Sequence, residues 1–228
     1  MKALVLSSGG VDSTTCLALA VRDHGKENVV TVVIDYGQRH KREMESARKV
    51  AKYYGVDHYE FNVEELFKYS KCSLMANGQD VVETTYEEQV ADGGKITSYV
   101  PFRNGLMLSI CATLAQSLWE EEECDVYLGN HASDFAYADC TEKFVKKMQA
   151  AIFEGTYGWV KFVAPLVDMT KDEVVKLGLE LGVPYELTWS CYEGRELPCG
   201  RCASCLERIK SFEINGVKDP VKYETDME

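Results

Sequence analysis

MKALVLSSGGVDSTT, residues 1–15, sets a short apolar run against a glycine loop and then a helix-forming segment. Ala3–Leu6 is continuously apolar and ends before the glycines, the pattern of a buried parallel strand. Ser13–Val21 carries apolar residues at helical spacing. A strand that enters a helix through glycines is a phosphate-binding arrangement. The glycines allow a tight turn, amide N–H groups point inward, and the helix N-terminus adds partial positive charge. The loop lacks the Gly-Lys-Ser/Thr ending of a P-loop and the GxGxxG spacing of a dinucleotide fold. What remains is Ser8-Gly9-Gly10-Val11-Asp12-Ser13. Ser8 and Ser13 offer hydroxyls to phosphate oxygens. Asp12 is an anion, suited to holding Mg²⁺, which prefers one or two carboxylates plus phosphate oxygens, or to ordering the loop. An ordinary βα turn with a Ser or Asp cap does not account for the whole string directly after the first strand.

Working outward, Val29–Ile34 is a second apolar run, rich in β-branched residues. His40–Tyr54 reads as a helix that Gly55 stops, and His58–Val63 as a third strand. The pattern fails from Tyr69 to Ser98, a polar stretch with Asn77-Gly78 and Gly93-Gly94 turn signals, expected to be a functional loop or mobile lid. Arg103–Trp119 is a strongly apolar helix, Glu120–Glu123 its solvated end, and Asp125–Leu128 a fourth strand closed by Gly129. Thr141–Phe153 is an amphipathic helix and Val160–Ala164 a fifth strand. A helix begins at Thr170 and ends near Gly182, and a last one covers about Cys202–Ile214. Alternating strands and helices imply an α/β fold with a parallel sheet covered on both faces. The expected division is a domain over 1–188 and a C-terminal segment over 189–228.

The net charge of −12, from 25 Lys and Arg against 37 Asp and Glu, disfavours a phosphate-backbone partner, so no direct nucleic-acid contact is expected. The residues before the glycines are too few for an export signal, and no apolar run approaches a membrane span. A cytoplasmic protein without a membrane is therefore expected. Of nine cysteines, Cys16, Cys72, Cys111, Cys124 and Cys140 are scattered in apolar or helical surroundings and read as core residues. Cys191, Cys199, Cys202 and Cys205 cluster, with Pro198 and Gly200 supplying a turn, and read as ligands of one metal ion. Four thiolates at this spacing suit tetrahedral Zn²⁺, while an iron–sulfur cluster is the competing occupant. His24 and His58 read as surface or strand residues, and Lys171 as an exposed lysine rather than a phosphate ligand.

The loop string resembles the pyrophosphate-binding loop of the PP-loop ATP pyrophosphatase superfamily. Three further segments follow strands or open the cysteine cluster: Tyr36-Gly37-Gln38-Arg39-His40, Gly129–Cys140 and Trp189-Ser190-Cys191-Tyr192. With Tyr99–Asn104 and the closing Cys199–Cys205 run, they are similar, nearly end to end, to the 7-cyano-7-deazaguanine synthase family of queuosine precursor synthesis. Phe102 stands where many members have glycine, and Ala136 and Ala138 where many have glycine and proline.

The resemblance implies a Rossmann-like, adenine nucleotide α-hydrolase-like sheet with a zinc-binding tail. It implies an ATP-dependent ligase that takes 7-carboxy-7-deazaguanine and ammonia to the nitrile through an adenylated intermediate, with Mg²⁺ accompanying ATP and one structural zinc ion per homodimer subunit. It implies ATP binding by Ser7, Ser8, Gly9, Gly10, Val11, Asp12, Ser13 and Thr14, with Asp12, Ser13 and Arg103 in catalysis. Tyr36, Gln38, His40, Arg103, Asp134 and Asp139 are the candidates for the substrate pocket. The rivals are a relative that stops at the amide or transfers the deazaguanine, a tRNA thiolation enzyme, and a zinc-binding adaptor.

Overall fold

The computed structural model describes residues 1–38, 41–75, 78, 98–131 and 137–227. His40 and Asp134, both candidates for the substrate pocket, lie outside the described residues, as does most of the stretch expected to form a loop or lid.

The sheet has five strands: β1 (Lys2–Leu6), β2 (Val29–Asp35), β3 (Asp57–Asn62), β4 (Cys124–Tyr127) and β5 (Val160–Val163). Their order is β3-β2-β1-β4-β5, and every pairing is parallel. The helices are α1 (Val11–His24), α2 (Arg42–Tyr54), the single turn α3 (Glu64–Phe67), α4 (Arg103–Leu118), α5 (Glu142–Gly155), α6 (Lys171–Glu180) and α7 (Ala203–Ile214). All but α3, for which the sequence reading assigned nothing, agree in type with that reading, and α2 begins at Arg42.

Alternation along the central strand divides the core. Leu4 faces a cluster built with Met107, Leu108 and Cys111 of α4 and Val145 of α5. Ala3 and Val5 face the opposite cluster, with Leu17 of α1, Val50 of α2, Val174 of α6 and Phe212 of α7. Both faces are thus covered, which is why β1 and β2 read as unbroken apolar runs. The helix ends follow local chemistry. Gly55 closes α2 in the left-handed conformation at φ 67°, and Thr170 with Glu173 forms a reciprocal cap at the start of α6. Phe102, immediately before α4, has φ 51°. That region favours glycine. The Phe102 ring compensates by packing edge-on against Phe144 at 5.8 Å.

The chain runs outward from β1 to β3 and then crosses back to β4 on the other side of β1. The carboxyl ends of β1 and β4 therefore meet at the point where strand order reverses, the place where open α/β sheets form ligand crevices.

Candidate active site

Gly9 shows why the loop after β1 needs glycine. Its φ is 75°, and a Cβ there would lie 2.5 Å from the Ala47 amide nitrogen and 2.6 Å from the Glu43 carbonyl oxygen. The backbone of α2 thus presses directly on the loop. The rest of the turn is held by its own hydroxyls. The Ser13 hydroxyl accepts from the Ser8 amide at 3.2 Å and lies 3.2 Å from the Ser8 hydroxyl. The Thr14 hydroxyl donates to the Gly10 carbonyl at 2.7 Å. The Ser7 hydroxyl is buried and has no hydrogen-bond partner, an orphaned group of the kind a bound phosphate oxygen would satisfy.

Over this loop lies a cavity of about 260 Å³. Ser7, Ser8, Gly10, Val11, Asp12 and Ser13 line it. Thr14 points into the protein, and the Gly9 carbonyl accepts a hydrogen bond from the Trp189 amide at 2.9 Å. Tyr36, Gln38, Arg103 and Asp139 also face the cavity, so the structure brings together every described candidate except Gly9 and Thr14. Gln38 fastens its own turn by accepting from the Tyr36 amide at 3.0 Å. One Asp139 oxygen is already engaged, accepting from the Asn104 amide at the start of α4 at 2.9 Å.

Lys171 corrects the sequence reading. Its side chain is only 12% exposed. The ammonium donates to both Asp12 oxygens at 2.7 and 2.6 Å. Burial opposes ionisation of Asp12, but Lys171 and His131 outweigh it and hold the carboxyl below its ordinary value. A sequence signal existed: Lys171 is the first residue of α6, where the helix dipole disfavours a cation unless an anion faces it. His24 likewise departs from a surface position. Its side chain is 5% exposed, and the ring nitrogen lies 3.1 Å from the Tyr127 hydroxyl.

Arg103 is the opposite case to Lys171. Its guanidinium donates to the Tyr36 hydroxyl at 3.3 Å and sits 5.3 Å from the centre of that ring, yet among the described residues no carboxylate lies within ion-pairing distance. Burial alone would favour losing the proton. Tyr36, Cys140 and Glu43 reverse that and raise its already high value. A half-buried guanidinium that faces a cavity without a carboxylate partner is suited to a carboxylate or phosphate.

The tail from Trp189 forms another wall, through Trp189, Ser190 and Tyr192. Arg42 lies over the Trp189 ring at 5.8 Å. Behind this wall the ligand sulfurs of Cys191, Cys199, Cys202 and Cys205 all lie within 4.8 Å of one another, and all four residues are buried. Tetrahedral zinc with bonds of about 2.3 Å needs sulfurs about 3.8 Å apart, and Cys199 and Cys205 are 4.0 Å apart. Backbone amides of Glu193 and Cys199 donate to the Cys191 sulfur at 3.4 and 3.3 Å. Hydrogen bonds from Cys202 and then Cys205 pull the Cys191 thiol far below its ordinary range. The four thiolates therefore fit a structural metal ion, and a closed four-sulfur set leaves no open coordination position. The other five cysteines are all buried; four read as core residues, while Cys140, in the Asp139 segment, lines the cavity.

The family model described as "Queuosine biosynthesis protein QueC" matches residues 2–216. The chain is 42% identical over 224 residues to a 7-cyano-7-deazaguanine synthase of Archaeoglobus fulgidus, covering 97% of this chain and 90% of that one. It is 41% identical over 226 residues to the enzyme of the same name from Oceanobacillus iheyensis, covering 97% and 98%. Among solved structures, NMN synthetase from Francisella tularensis superposes with a TM-score of 0.53 at 17% identity, over 95% of this chain and 78% of that one. That likeness concerns the fold alone.

Proposed function

Because the chain belongs to the QueC family of queuosine biosynthesis proteins, we propose that it makes 7-cyano-7-deazaguanine from 7-carboxy-7-deazaguanine, ammonia and ATP. It is an enzyme, a ligase that forms a carbon–nitrogen bond in making the queuosine precursor. The observation that carries the proposed substrate is the pairing within one cavity of a pyrophosphate-type loop and the unpaired guanidinium of Arg103.

The loop amides, the orphaned Ser7 hydroxyl and the hydroxyls of Ser8 and Ser13 would hold the phosphates where negative charge grows as pyrophosphate leaves. Lys171 and Asp12 flank the same end. Arg103 would hold the substrate carboxylate for attack on the α-phosphorus, giving an acyl adenylate. Ammonia then displaces AMP to give the amide. A second adenylation, at the amide oxygen, and loss of AMP leave the nitrile. The tail wall of Trp189, Ser190 and Tyr192 would keep water from the adenylate.

Mg²⁺ would accompany ATP near Asp12, and Zn²⁺ would occupy the four-cysteine site, where it fixes the tail and takes no part in the chemistry. The division at residue 188, a homodimeric assembly and a cytoplasmic location complete the proposal. No described helix is long and apolar enough to cross a membrane.

The test is product analysis by mass spectrometry with 7-carboxy-7-deazaguanine, ammonium, Mg²⁺ and ATP. The nitrile with AMP and pyrophosphate supports the proposal. The amide alone would move the protein to a relative that stops one step earlier. ADP and phosphate would overturn the reading of the loop.

A further inference from the structure

Three described carboxylates face the cavity; one is ion-paired and a second is hydrogen-bonded through one oxygen. Asp12 is paired with Lys171, and Asp139 accepts from the Asn104 amide. The third, Glu43, has no hydrogen bond and no ion pair among the described residues. It rises from the first turn of α2, whose backbone presses on Gly9. Glu43 lines the cavity that the loop also lines. The groups acting on it are Arg103 of α4, Cys191 of the tail and Tyr36 beyond β2. None of them is bonded to it. Arg103 is a half-buried cation and Glu43 a carboxylate, neither with an ion-pair partner among the described residues, facing the same space without pairing directly.

Two opposite charges left unpaired across one cavity are costly unless ligands complete them. Resting on the reaction proposed above, Arg103 takes the substrate carboxylate. We propose that Glu43 binds the ammonium ion and removes its proton, making it the general base of the amide-forming step. Ammonium transfers a proton to the Glu43 carboxylate. The freed electron pair forms the C–N bond at the acyl carbon. The C–O bond to phosphorus-bound oxygen breaks, and AMP leaves with that pair. The nitrogen's second surplus proton passes to a phosphate oxygen of the departing AMP, which leaves a neutral amide and a protonated Glu43 that discharges to solvent.

The electrostatics agree. Burial is the main cause that pushes Glu43 from 4.5 up to about 7, and Arg103 only partly opposes it. A base poised near neutral pH is what proton removal from ammonium needs.

The experiment uses the whole protein and reads amide formed per pyrophosphate released at pH 7, with Glu43→Gln as the variant. Ammonium needs a base at this pH, whereas hydroxylamine is already largely neutral and reactive. With ammonium, the ratio should fall about tenfold or more in Glu43→Gln. With hydroxylamine, hydroxamate per pyrophosphate should return close to wild type. Glu43→Asp should lie between the two with ammonium. An unchanged ratio with ammonium overturns the assignment. So does a loss that hydroxylamine fails to rescue, a raised KM for the deazaguanine acid (Glu43 reading the base), or a raised requirement for Mg²⁺. Wild-type protein that releases no pyrophosphate with the acid would overturn the functional reading itself, a failure distinct from the others because it needs no variant.

Discussion

Lys171 and Asp12 are 159 positions apart in sequence and within 2.6 Å in space. Lys171→Met leaves Asp12 without its ammonium partner, which should cost about 2 kcal/mol of stability in this partly buried setting. Because the Asp12 carboxyl is held low in the folded state, its contribution is complete above the ordinary carboxylate value. It is lost as pH falls through the lower folded value. Urea unfolding of Lys171→Met between pH 7 and pH 3 should therefore show a smaller loss on acidification than wild type, and pyrophosphate release should fall sharply. Glu43 has the opposite sign. Its folded value is raised, so the fold penalises the carboxylate; the penalty is absent below 4.5 and complete above about 7. Glu43→Gln should stabilise the protein at pH 8 by up to about 3 kcal/mol, and that advantage should disappear in unfolding curves at pH 4. Neither residue's role was legible from sequence alone. In sequence Glu43 stands one turn past the second strand, where a ligand-facing residue and a plain polar helix start read alike, and its isolation depends on what other elements do not place beside it. Lys171 carried only the anomaly of a cation at a helix N-terminus.

The segment between α6 and α7 is the element that ties the tail to the nucleotide loop. Arg208 of α7 is only 2% exposed. It donates to both Asp219 oxygens at 2.7 and 3.0 Å, to the Tyr185 carbonyl at 3.1 Å and to the Thr188 hydroxyl at 2.8 Å. One residue beyond Thr188, the Trp189 amide bonds to Gly9. Arg208→Met strands the buried Asp219 carboxylate and should cost about 3–5 kcal/mol, read as a lower urea midpoint with unchanged slope. The elements themselves were legible. Apolar runs without alternation announced β1 and β2, and the glycine after Tyr54 announced the end of α2. The strap was not, because residues 183–190 carry no periodicity and their order comes from one arginine reaching back from the following helix.

At the scale of the molecule, the parallel sheet fixes where everything else can be. Strand order reverses at β1, so the residues after β1, β2 and β4 converge although the sequence scatters them. Reading those segments as one site needed only the pattern of strands, and the positions after strands were legible for that reason. The net charge of −12 sits outside this convergence and says little about the anion site, where the positive groups among the described residues are Arg103, Lys171 and the loop amides. Chelation of the four-sulfur metal ion should lower the thermal midpoint by several degrees and weaken ATP binding measured by calorimetry.

The hydrogen bond from the Trp189 amide to the Gly9 carbonyl joins those two losses in both directions. If an ordered tail favours the nucleotide loop, an occupied loop must favour an ordered tail by the same free energy. ATP at saturating concentration should then slow the rate at which a chelator strips the ion, and Trp189→Pro, which removes that amide donor, should abolish the protection. Nucleotide supply would in this way govern how firmly the protein keeps its metal.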